Sequence, residues 1–167
     1  MGTVDQISAA YRSLAGTGGG VLYTLGSSGW HAFSPQPPGA GSGVTVNWVS
    51  VIKDPASSSP GTHYYYALLS NGAIRKYTAS STPGVASEWS SIASPTKDGQ
   101  TVVLTSFSAN EHYLWGVRQG HDVWRLTLSS NHWDQVEWVR TGVTCNAVAA
   151  GNDHNYTWGI ASNGIWN

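Results

Sequence analysis

Residues 147–167 read Ala147-Val-Ala-Ala-Gly-Asn-Asp-His-Asn-Tyr156-Thr-Trp158-Gly-Ile-Ala-Ser-Asn-Gly164-Ile-Trp166-Asn167. Ala147 to Ala150 is a run of small apolar residues suited to an inner strand crowded near an axis. Tyr156 to Ala161 alternates Tyr, Trp and Ile with Thr, Gly and Ala, the period of two that marks a strand. Ser162-Asn163-Gly164 favours a tight hairpin, because Asn and Gly tolerate positive φ. Ile165-Trp166-Asn167 then opens a third strand.

The same order of aromatic, small and apolar residues before a polar Gly turn recurs upstream. It appears as Tyr23-Thr-Leu-Gly-Ser-Ser-Gly-Trp30, Tyr66-Ala-Leu-Leu-Ser-Asn-Gly-Ala-Ile74 and Trp115-Gly-Val-Arg-Gln-Gly-His-Asp-Val123. A second family falls between these segments, at Tyr11-Arg-Ser-Leu14, Trp48-Val-Ser-Val51, Trp89-Ser-Ser-Ile92 and Trp138-Val-Arg-Thr141. Two interleaved families in register give a fourfold repeat of about 42 residues, the period of a four-stranded propeller blade. The expected architecture is one all-β domain over 1–167, a β-propeller of four four-stranded antiparallel blades. The blades are expected at about 17–53, 59–94, 98–141 and 144–167. The last would be completed by an N-terminal strand within 4–14, closing the ring without an open edge.

Composition narrows the function classes. Only 10% of the 167 residues are charged, against about 25% in a typical soluble domain, which excludes helical bundles and coiled coils. Nine Trp and eight Tyr exclude a disordered chain. A net charge of −1 with eight scattered basic residues gives no nucleic-acid footprint. No apolar run suggests a membrane span, and the N-terminus lacks a secretory leader. The single Cys145 suits a reducing compartment. The expected location is cytoplasmic, or secreted without a signal peptide.

Trp138-x-x-x-Gly142, Ala147-Val-Ala-Ala-Gly151 and Tyr156-Thr-Trp158-Gly159-Ile160-x-Ser162-Asn163-Gly164-Ile165 together resemble the tectonin repeat. The third repeat, with Trp115-Gly116-Val117 and Val123-Trp124-Arg125, is similar, and the second, with Tyr66-Ala67-Leu68, follows it more loosely. The first departs most, having Gly18-Gly-Gly20 where an inner strand should lead in and a long insertion from Pro35 to Gly43. The resemblance implies a propeller lectin of the tectonin and tachylectin type.

Neutral glycans are held by aromatic rings against their C–H faces and by polar groups on their hydroxyls. The expected ligand-binding residues lie at and just after the Gly turns: Trp30, His31, Asn71, Arg75, Tyr77, Asp122, Trp124, Asn163 and Trp166. Trp115 and Trp158 are assigned to core packing, and Trp48, Trp89 and Trp138 to contacts between blades. His63, His112 and His154 occupy similar loops, but no HxH or HxxxH pair exists on one strand, so they read as turn residues and no metal is expected. No nucleophile elbow, phosphate loop or Cys pair is present, which argues against an enzyme and against cofactors. Glu111 and Asp122 are the least unsuitable carboxylates for a glycosidase pair, and both sit in turns.

These readings converge on a non-catalytic, multivalent lectin with glycans or glycoproteins as partners. The alternatives are a structural or protein-interaction propeller of the hemopexin type, whose signature occurs at most once, at Asp5 to Tyr11, and a part-propeller completed as a homo-oligomer.

Overall fold

The chain is all-β. In the computed structural model the described residues are 4–10, 13–54, 62–79, 87–118, 122–130, 132–136, 145–150, 157–161 and 164–166. They divide into two compact units, Met1–Ile92 and Ala93–Asn167. No helix long and apolar enough to cross a membrane occurs among them.

The first unit holds two four-stranded antiparallel meanders. One is β1 (Gln6–Ala10), β2 (Ser13–Gly18), β3 (Val21–Gly26) and β4 (Gly29–Ala32); the other is β5 (Val46–Lys53), β6 (His63–Leu69), β7 (Ile74–Ala79) and β8 (Glu88–Ile92). Gly19 and Gly20, at φ 55° and 80°, make the two-residue turn between β2 and β3. Both turn positions need left-handed backbone, which Gly adopts without steric cost. The glycine run therefore closes a hairpin rather than leading into an inner strand.

The second unit holds a small hairpin of β9 (Thr96–Lys97) and β10 (Gln100–Thr101). A four-stranded meander follows, β11 (Leu104–Ala109), β12 (Tyr113–Arg118), β13 (Val123–Thr127) and β14 (His132–Val136). The last sheet has three described strands, β15 (Cys145–Ala150), β16 (Thr157–Ala161) and β17 (Gly164–Trp166).

Cross-strand register fixes which positions are equivalent. Ser8 faces Ala15, Ser50 faces Tyr66, Ser108 faces Trp115 and Ala149 faces Trp158. Tyr66, Trp115 and Trp158 thus share one position, as the repeat predicts. In the first sheet that position is Ala15, and Tyr23 lies one strand further on, opposite Gly16. The first two sheets start one strand earlier than the expected blades, at Gln6 and Val46 rather than at about 17 and 59, whereas the third and the last start within the expected 98–141 and 144–167. The expected N-terminal strand accordingly does not extend the last sheet: Gln6–Ala10 is β1 and pairs with β2, from Gln6↔Thr17 to Ala10↔Ser13. A short local hairpin satisfies that backbone with little loop-closure cost. Trp48 correspondingly lies on β5, the opening strand of the second sheet, while Trp89 lies on the outer strand β8. Tyr11 and Trp138 fall outside the described residues.

Within each unit one sheet packs on the next in the same sense. Ala15 and Leu22 of the first sheet, both 0% exposed, lie against Val46, Val49, Val51, Tyr65 and Ala67 of the second. Ser8 Oγ accepts from the Val51 amide at 3.0 Å, and the Gln6 side chain both donates to the Val49 carbonyl and accepts from its amide. In the second unit Trp115, Val117 and Val123 pack on Cys145 and Val148, and Ser108 Oγ accepts from the Ala150 amide at 3.0 Å. The backbones approach closely where Gly16 faces β1, since a Cβ there would lie 2.6 Å from Val4 Cγ1 and 2.8 Å from the Gln6 carbonyl oxygen.

Candidate functional site

The sequence-expected site residues scatter, and several are structural. Arg75 on β7 donates through Nε to the Pro38 carbonyl at 3.0 Å, pinning the proline-rich connection between β4 and β5. Trp89 Nε1 does the same to the Pro35 carbonyl at 2.8 Å. Tyr77 lies in a ring cluster with Phe33, Tyr65 and Trp89, with centroids 4.9 Å from Phe33 and 5.1 Å from Trp89. Edge-on and tilted packing of this kind is the favourable geometry for aromatic rings. Trp124 is 4% exposed, so its ring has no open face. Val123 beside it is also buried, on the face that packs on Cys145 and Val148. Asp122 forms ion pairs with Lys97 at 3.3 Å and Arg118 at 3.6 Å. Asn71 caps its own turn by accepting from the Ala73 amide. On β4 Trp30 is half-buried with its ring over Gly16, whereas His31 is exposed, its Nε2 2.8 Å from Ser28 Oγ. Asn163 and the Trp166 side chain lie outside the described positions. Trp158, assigned to the core from sequence, is 43% exposed.

The described residues assemble a different site, at the β11–β12 hairpin end. The Asn110 side chain accepts from the His112 and Tyr113 amides at 3.0 and 2.8 Å, which tightens the turn and holds Glu111 and His112 outward. Glu111, His112, Tyr113, Thr127 and Ser129 line an open cleft of about 310 Å³. The cleft offers a carboxylate, an imidazole, two hydroxyls and an aromatic ring. The Arg125 guanidinium lies 4.9 Å from the Tyr113 ring centroid and 5.7 Å from that of Trp115, a cation held against two rings. From sequence Glu111 and His112 read as turn residues, and Tyr113, Thr127 and Ser129 are not singled out. The available signal was the repetition of His-Tyr at 63–64 and 112–113.

The equivalent end of the second sheet carries His63 and Tyr64 on β6. Lys76 Nζ sits 3.9 Å from the Tyr64 ring centroid, and the Tyr64 hydroxyl donates to Asp54 at 2.9 Å. Burial pushes the Tyr64 hydroxyl above its ordinary value, and the bond to Asp54 and its charge add to that. Burial lowers the Lys76 ammonium, partly offset by Asp54. Cys145 is 3% exposed, and burial raises its thiol despite a bond to the Ala147 carbonyl, the environment of an unreactive cysteine. Among the described residues no three His, Cys, Asp or Glu side chains gather as a metal site.

No family model matches the sequence, and no curated protein does. Solved structures match the fold. The extracellular domain of the one-component system BT4673 from B. thetaiotaomicron is 17% identical, with a TM-score of 0.55 over 97% of this chain and 20% of that one. The chain thus spans 20% of the length of that extracellular domain. The computationally designed Ika4 protein is 9% identical, with a TM-score of 0.52 over 99% of this chain and 91% of its own. At these identities the likeness is one of fold alone.

Proposed function

We propose that this chain is a non-catalytic glycan-binding protein, a lectin whose sheets act as propeller blades, with the Glu111–Ser129 cleft as its principal site. The cleft is the observation that carries the reading. A sugar presents hydroxyls that donate and accept, together with an apolar C–H face. Glu111 and His112 match the hydroxyls, as do Thr127 and Ser129, and the Tyr113 ring matches the face. Its volume, about 310 Å³, suits a ligand of one or two sugar rings, at the lower end of small-molecule pockets. The exposed His31 on β4 is the second place for a weaker contact. Several weak sites on one chain would bind a branched glycan by avidity.

A glycan array on the purified chain, followed by fluorescence titration of the best binder, tests the reading. Trp115 lies 6.0 Å from Tyr113, so tryptophan emission reports on the cleft. Glu111→Gln and Tyr113→Ala should each weaken binding about tenfold, equivalent to ~1.4 kcal/mol. Binding should survive EDTA, because the cleft supplies a single carboxylate where calcium needs several oxygens. An array without hits, or binding that both variants leave intact, would remove the cleft from the account.

A further inference from the structure

Two sheet faces are apolar and exposed, and the repeat identifies what each one matches. By cross-strand register, Trp158, Ile160 and Ile165 occupy the positions that Trp115, Val117 and Val123 hold one sheet earlier. Trp115, Val117 and Val123 are 9%, 1% and 1% exposed, because the following sheet covers them. Trp158, Ile160 and Ile165 are 43%, 46% and 68% exposed. The same positions that make a core in one sheet stand uncovered in the next.

The first sheet shows the complementary case. Its Ile7–Gly16–Tyr23 row is equivalent to the Val49–Ala67 row that receives the preceding sheet in the first unit. Ile7 is 56% exposed, and Leu25 on the same face is 47% exposed. Every copy of the chain therefore carries one outgoing and one incoming face of a single packing rule, each exposed where its equivalents are buried.

We propose that a second copy of this chain supplies the counterpart, with the Trp158–Ile160–Ile165 face of one copy packed on the Ile7–Leu25 face of the next. Such a contact is heterologous, so it closes into a ring or propagates, according to the rotation between copies. It follows the sheet-on-sheet packing already present in both units. One element differs. Ser8 and Ser108 each bond the backbone of the sheet they pack on, whereas the last sheet has Ala149 at that position. The contact between copies rests on apolar burial without that hydrogen bond, so it should persist at high salt. It does not depend on the cleft binding a glycan.

Sedimentation equilibrium on the full chain tests the proposal. The wild type should show a mass above the 17.7 kDa monomer at both low and high salt. Ile165→Lys and Ile7→Lys, both at exposed positions, should each shift the population to lower mass while keeping the near-ultraviolet circular dichroism of the fold. Mixing the two variants should restore a species of two chains, because one intact face of each kind remains. If either variant loses the native spectrum, Ile160→Lys or Leu25→Lys replaces it on the same face. A monomeric wild type overturns the proposal, as does an oligomer that both faces' variants leave intact. Disruption by changes to one face alone would show a symmetric contact and overturn it equally.

Discussion

At the start of β6 and at the start of β12 the chain places the same pair, His63-Tyr64 and His112-Tyr113, with a long cation from the third strand laid over each tyrosine ring. In the first unit Asp54 takes the Tyr64 hydroxyl, and Lys76 lies 3.9 Å from the ring. In the second unit the tight Asn110 turn throws Glu111 and His112 outward, and the cleft opens between them and Ser129. The strands and their register are alike; the residue that follows the first strand differs, Asp54 in one sheet and Asn110 in the other. A repeat can thus fix where a tyrosine stands while the residue that follows the first strand decides what that tyrosine meets.

The largest effect that can sharpen this contrast lies away from the cleft. Trp89→Ala removes a ring from the Phe33–Tyr65–Tyr77 cluster and the bond to the Pro35 carbonyl. It should lower stability by about 3 kcal/mol in denaturant unfolding, yet leave the affinity of the folded protein for glycan unchanged. Tyr64→Ala comes next. It should cost about 1–2 kcal/mol through the lost ring contact with Lys76 and the bond to Asp54. It should leave the glycan titration where Tyr113→Ala weakens it, and equal effects would break the distinction between the two ends.

A smaller effect appears in alkali. The folded-state Tyr64 hydroxyl titrates above its unfolded value of 10.0, so below that value both states are protonated and the contribution to stability is whole. As pH rises past 10.0 the unfolded chain releases this proton first, and stability falls until the folded group ionises too. Tyr64→Phe should flatten this part of the stability curve, measured by unfolding at stepped pH. The smallest effect belongs to the Asp122 ion pairs, whose side chains are 29–43% exposed. Lys97→Ala should cost under about 1 kcal/mol, and less in high salt.

Much of the architecture was legible in the residues. Period-two alternation and Gly turns marked the strands, and Tyr66, Trp115 and Trp158 marked one true repeat position. The first sheet misled because its equivalent residue is Ala15, which has no aromatic signature, while Tyr23 sits one strand later. A quieter motif, Ile7-Ser-Ala9, Val49-Ser-Val51 and Phe107-Ser-Ala109, follows the register correctly. The outer-strand tryptophans are Trp30, Trp89 and Trp133, opposite Leu25, Tyr77 and Leu126. Trp48 entered the expected series only because its spacing came close. The cleft was harder to see. Glu111, His112 and Ser129 are common loop residues, and only the turn geometry around Asn110 and the approach of β13 bring them to one place.

The Gln6 and Ser8 contacts to β5 also provide a gauge of docking. The Val49 and Val51 amides are held by side chains of β1 rather than by a neighbouring backbone. Their hydrogen exchange therefore reports how often the first sheet lifts from the second, a slow opening that the paired amides between β5 and β6 need not share. The Ala150 amide, held by Ser108, gives the same reading in the second unit. Three amides thus timestamp two separate openings, each within its own half of the chain.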